Sequence, residues 1–193
     1  MLSGVKDRVG ELVEPLASAL ARRGVTPNSL TLLGLVVGLV SAALFARGES
    51  LWGGLLLLVC GLFDLLDGAV ARSGGKETRF GGVLDSVVDR YVDFLVLLAI
   101  VWGGLAEAFG VSGLVWGGAA MLGSLMVSYV RARGEAAGTG KMEVGLAERG
   151  ERLLLLGFGS VLGFTNYAVV LVAVLSHLTV VQRMVVARER LGD

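Results

Sequence analysis

Asp64 and Asp67, then Asp85 and Asp89, lie in stretches otherwise apolar enough to be membrane helices. An aspartate near the middle of a membrane span costs roughly 2.5–3.5 kcal/mol, so a chain that places four there is building a site. Carboxylates at i, i+3 and at i, i+4 share one face of a helix. Two such pairs on neighbouring helices make an all-oxygen cage, suited to Mg²⁺ or Mn²⁺ and poorly suited to zinc.

Around the aspartates the order is Asp64-Leu-Leu-Asp67-Gly68-Ala-Val-Ala71-Arg72, eight residues, then Gly81-Gly-Val-Leu-Asp85-Ser-Val-Val-Asp89. Gly68 and Ala71 leave room beside the acids for a flat group or a phosphate, and Arg72 can hold a phosphate in bidentate fashion. Asp93 extends the row by one turn. With Arg90 three residues before it, Asp93 reads as half of a local ion pair rather than as a ligand.

The helices that must position these groups are legible in the composition. The 193 residues are 54% hydrophobic with no net formal charge, and the mean hydropathy is +0.76, the signature of a polytopic membrane protein. An amphipathic segment over 2–22, with Val5, Val9, Leu12, Val13, Leu16 and Leu20 on one side, predicts a helix lying in the membrane interface. Asn28 or Ser29 is placed to cap the next helix. Apolar stretches near 29–46, 51–71, 82–103, 112–131, 151–164 and 167–187 predict six spans. The expected fold is therefore an all-α integral membrane protein, six transmembrane helices after an interfacial one, forming a single domain over 1–193.

Charge orients it. With six spans, fifteen of the seventeen lysines and arginines fall on one side, Lys76 among them, and only Arg47 falls on the other. The positive-inside rule then puts both termini and the aspartates on the cytoplasmic side of the cell membrane. Cys60 sits in an apolar run and reads as a core residue, and His177 as a polar group packing one helix on another. Gly34-x-x-x-Gly38 has the spacing of a helix-dimer motif. No nucleic-acid partner is expected.

A second basic cluster follows at the predicted cytoplasmic ends of spans 4, 5 and 6: Arg131, Arg149 with Arg152, and Arg183. These can converge on an anion. Arg188 and Arg190, nearer the chain end, read as charge facing lipid head groups.

The pattern D-x2-D-G-x2-A-R-x8-G-x3-D-x3-D resembles the signature of the CDP-alcohol phosphotransferases at every fixed position, and the topology agrees along nearly the whole chain. The resemblance implies a reaction in which an alcohol displaces CMP from a CDP-linked lipid, CDP-diacylglycerol or CDP-archaeol. It also implies a homodimer and two divalent metal ions. By position, Asp64, Asp67, Asp85 and Asp89 would be metal ligands, Asp89 also the general base. Gly68, Ala71, Arg72, Thr78 and Gly81 would bind the CDP moiety. The segments carrying Arg131, Arg149, Arg152 and Arg183 resemble the branch that makes phosphatidylinositol phosphate or archaetidylinositol phosphate, so these four would bind the phosphate of inositol 1-phosphate. Glycerol 3-phosphate, which also carries a phosphate, is the alternative acceptor. A cation transporter using intramembrane carboxylates would want acids near the midplane and repeat symmetry, and neither is visible.

Overall fold

The computed structural model describes residues 3–74 and 77–192; Lys76 lies outside them, as do the side chains of residues 1–12, among them Val5, Val9 and Leu12. Among the described residues seven helices follow in order: α1 (Ser3–Arg22), α2 (Pro27–Ala46), α3 (Ser50–Ser73), α4 (Arg79–Trp102), α5 (Gly113–Ala137), α6 (Arg149–Val161) and α7 (Thr165–Leu191). Among the described residues four helices, α2, α3, α5 and α7, are long and apolar enough to cross a membrane. α4 is long enough but carries Asp85, Asp89, Arg90 and Asp93, and α6 has only 13 residues.

Local chemistry sets the boundaries. α2 starts two residues earlier than the expected caps: Thr26 is the N-cap, its hydroxyl accepting from Ser29 N at 3.3 Å. The reason is Pro27, which favours extended backbone before it and supplies a pre-set φ at the first helical position. α4 is capped by Thr78, which accepts from Gly81 N at 2.9 Å. α5 runs beyond the expected 131 to Ala137. There Arg131 and Glu135 pair one turn apart at 3.0 Å, and Gly138, at φ 104°, ends the helix in a conformation that suits glycine.

The core joins α2, α3, α4, α6 and α7 through Phe45, Leu57, Val92, Val96, Leu97, Ile100, Leu156, Val169 and Val172. α1 lies against α3, with Ala17 fully buried beside Ala69 and Val70. Small residues set the spacing between helices. A Cβ on Gly38 would stand 2.8 Å from a methyl of Val92, and one on Gly34 would stand 3.3 Å from Phe63. The Gly34–Gly38 pair therefore packs α2 against α3 and α4 of the same chain. Cys60 is buried and donates to Gly34 O at 3.3 Å. His177 Nε2 lies 3.2 Å from Ala119 O, linking α7 to α5.

The segment between α5 and α6, residues 138–148, is strapped down by α7. Arg190 donates to Lys141 O at 2.8 Å and Arg183 to Val144 O at 2.7 Å. The Thr179 hydroxyl accepts from Leu146 N and Ala147 N at 3.1 and 3.0 Å. These bonds deliver the first turn of α6, with Arg149 and Arg152, to the face of α4 that carries the aspartates.

Candidate active site

α3 and α4 bring Asp64, Asp67 and Asp85 together, with one carboxylate oxygen from each within 4.8 Å of the others. Asp67 is 7% exposed, and its Oδ2 accepts from Thr31 Oγ1 at 2.7 Å. That contact, from the second turn of α2, had no counterpart in the sequence reading. Asp85 Oδ1 is buried without a hydrogen-bond partner among the described residues. An oxygen-only donor set with a buried, unpartnered carboxylate oxygen is what a hard divalent cation requires.

Asp89 is 8% exposed and stands apart from that trio. Its Oδ1 lies 3.0 Å from Arg149 Nη2 and its Oδ2 3.5 Å from Arg90 Nη1. Arg149 also places Nη1 2.6 Å from Asp64 Oδ2 and Nε 3.5 Å from Asp93 Oδ1. Those two are ion pairs that fall short of hydrogen bonds. One guanidinium from α6 is thus enclosed by three carboxylates from α3 and α4.

Beside the trio opens a cavity of about 280 Å³, lined by Asp67, Gly68, Ala71, Thr78, Gly81 and Asp85, with Pro27, Asn28, Thr31, Glu77 and Gly82. Five residues expected around a nucleotide are accounted for here: Gly68, Ala71, Thr78 and Gly81 line the cavity, and Arg72 lies beside it. A Cβ on Gly68 would stand 3.3 Å from Arg72 Nη1. One on Gly81 would stand 2.8 Å from Thr78 Oγ1 and 3.2 Å from Asn28 Oδ1, so glycine is needed for the capping contact and the cavity wall at once.

The four arginines expected around an acceptor phosphate are held differently from one another. Arg131 is half-buried and pairs with Glu135. Arg149 faces the aspartates. Arg152, 3% exposed, donates to Asp93 Oδ2 and to Ala147 O, both at 2.8 Å. Arg183, 2% exposed, donates to Val127 O and Val144 O, both at 2.7 Å, and keeps Nη2 3.8 Å from Glu148. The expected Asp93–Arg90 pair is replaced by Asp93–Arg152 and Asp93–Arg149, while Arg90 turns back to Ser86 O at 2.7 Å. A signal for this was present: Arg149 and Arg152 fall in the first turn of a helix, where the macrodipole disfavours cations unless carboxylates are at hand.

The profile of the CDP-alcohol phosphatidyltransferase family matches residues 24–181. The chain is 40% identical over 191 residues to the archaetidylinositol phosphate synthase of Pyrococcus horikoshii, covering 99% of this chain and 98% of that one. It is 39% identical over 209 residues to the phosphatidylinositol phosphate synthase of Mycobacteroides abscessus, covering 99% and 91%. The crystal structure of Mycobacterium tuberculosis phosphatidylinositol phosphate synthase with CDP-DAG bound superimposes with a TM-score of 0.79 at 33% identity, covering 92% of this chain and 94% of that one. A second structure of that enzyme, in complex with manganese and citrate, gives 0.79 at 32% identity, covering 91% and 88%.

Proposed function

The chain belongs to the CDP-alcohol phosphatidyltransferase family, and on that footing we propose that it transfers a phosphatidyl or archaetidyl group from a CDP-linked lipid to inositol 1-phosphate, releasing CMP. The observation that carries this is the carboxylate trio of Asp64, Asp67 and Asp85 beside the cavity that also holds Gly68, Ala71, Thr78 and Gly81.

Asp64, Asp67 and Asp85 would hold divalent metal, Mg²⁺ or Mn²⁺, with Asp89 completing a site for two ions; the metal would supply charge neutralisation at the pyrophosphate. Thr31 fixes the Asp67 carboxylate through its hydroxyl. Gly68 and Gly81 keep the wall low enough for the nucleotide, and Arg72 takes a phosphate oxygen. Asp89 receives the proton of the attacking hydroxyl. The new oxygen–phosphorus bond forms at the lipid-bearing phosphorus as the bond to the CMP oxygen breaks. Arg149, with Arg152, Arg183 and the more exposed Arg131, draws the phosphate already on the acceptor. The relatives named for inositol phosphate products favour this acceptor over glycerol 3-phosphate.

In the same reading, α4 and α6 complete a six-span bundle in one domain. α1 lies in the interface, both termini and the site face the cytoplasm, and two copies form the working unit. The deciding experiment gives the purified protein inositol 1-phosphate, a CDP-lipid and Mg²⁺, with the lipid product identified by mass spectrometry. A phosphorylated inositol lipid and equimolar CMP are expected. Turnover of glycerol 3-phosphate in preference, or of free inositol, overturns the acceptor assignment.

A further inference from the structure

Asp93 lies one turn beyond the last aspartate of the motif, and both of its oxygens are spoken for. Oδ2 accepts from Arg152 Nη2 at 2.8 Å, and Oδ1 stands 3.5 Å from Arg149 Nε. Arg149 and Arg152 are three residues apart, on one face of the first turn of α6, so a single carboxylate from α4 holds that turn at two points. Arg152 ties in the approach to it as well, donating Nη1 to Ala147 O, two residues before Arg149. We propose that Asp93 is a positioning residue: it fixes the Arg149 guanidinium so that Nη1 and Nη2 reach Asp64 and Asp89 and stand where the acceptor's phosphate must arrive. This deepens the inositol phosphate reading and rests on it for the identity of the acceptor.

The geometry separates this role from two others. Asp93 is outside the trio whose oxygens approach within 4.8 Å, and both its oxygens face arginines, which is not the arrangement of a metal ligand. Its side chain is 11% exposed against 4% for Arg152 and 13% for Arg149, so the three charges share one partly closed compartment instead of a solvated surface. A guanidinium is a rigid planar fork. With Nε facing Asp93 as a 3.5 Å ion pair, the other two nitrogens of the fork are directed at Asp64 and Asp89.

The test is Asp93→Asn, whose amide oxygen can still accept from Arg152 while the charge facing Arg149 is lost. Arg149 should react faster with phenylglyoxal, followed by peptide mass spectrometry, with exposed Arg133 as the internal reference. The acceptor KM should rise about 10- to 100-fold, the usual cost of removing a group that orients a first contact, with the CDP-lipid KM and the melting temperature nearly unchanged. Unchanged labelling of Arg149 overturns the proposal, as does a loss spread equally over both KM values and the melting temperature. Lowered Mn²⁺ affinity by paramagnetic resonance overturns it too, making Asp93 a ligand. Asp93→Glu keeps the charge and moves the carboxylate outward; it should still raise the acceptor KM severalfold, and wild-type kinetics there would reduce Asp93 to charge balance and overturn the proposal. Wild-type protein is assayed first on inositol 1-phosphate and glycerol 3-phosphate. If neither is used, the acceptor reading falls on that control alone, and the role of Asp93 is decided by the labelling.

Discussion

Arg149 reaches Asp64 across the α3–α6 interface, its Nη1 2.6 Å from Asp64 Oδ2, while Nη2 of the same guanidinium is 3.0 Å from Asp89 Oδ1 on α4. A cation from α6 thereby ties together the two helices that carry the acids. Arg149→Lys keeps the charge but not the fork, and it should not restore function. We expect kcat/KM for the acceptor to fall about 10- to 150-fold, the worth of one charge-assisted hydrogen bond of roughly 1.5–3 kcal/mol. Steady-state kinetics at saturating CDP-lipid measures this, and a lysine variant with wild-type kcat/KM would remove Arg149 from the site.

Asp67→Asn should abolish turnover. It withdraws the charge from the most buried member of the trio, whose remaining geometry Thr31 holds in place. Mn²⁺ titration followed by paramagnetic resonance should show affinity lost in parallel. Near-normal activity at saturating Mg²⁺ would refute the metal assignment.

Asp89→Asn preserves shape and one oxygen but cannot take a proton. A kcat lower by roughly 10²–10⁴ is expected, the usual worth of general-base catalysis, with CDP-lipid binding little changed. A large loss of nucleotide affinity instead would make Asp89 chiefly a ligand.

Arg183→Ala should raise the acceptor KM and also lower the melting temperature, because it strands Val127 O and Val144 O and loosens the segment leading to Arg149. Exposed Arg188 is the control for acceptor binding: Arg188→Ala should leave the acceptor KM unchanged. Equal effects from both would make the basic cluster lipid-facing charge.

Orientation can be read with a membrane-impermeant thiol reagent on a Cys60→Ala background. A cysteine at Glu77, between α3 and α4, should label only from the cytoplasm, and one at Glu107, between α4 and α5, only from outside. The charge distribution of the sequence motivates this, and the reverse pattern would invert the topology.

The helices were legible because apolar runs of this length leave few alternatives. The predicted ends at 46 and 22 match those of α2 and α1. The ends that moved did so for reasons of local bonding, as with Thr26 and Pro27 or Arg131 and Glu135. The grouping of Asp64, Asp67 and Asp85 followed from periodicity within helices and a short link between them. What periodicity could not reach was contact between elements far apart in sequence. Thr31 meets Asp67 across 36 positions and Asp93 meets Arg152 across 59, and nothing in either local sequence names the partner. For the same reason nothing in the sequence ties Arg149 to Asp64 and Asp89, which it meets in the fold.

The carboxylates lie deep. Asp64 is nine residues from the end of α3, and Asp89 is ten from the start of α4, which at the helical rise is about 14 Å inward. Any aqueous approach from those helix ends stops at the acids. Beyond the acids the bundle is closed by Leu57, Val96, Leu97, Leu156 and Val172, packed where α3, α4, α6 and α7 meet. The short helix α6 begins at the level of the acids and spends its length in that plug. The packing that holds the acids in register is thus also what closes the bundle beyond them to water and ions.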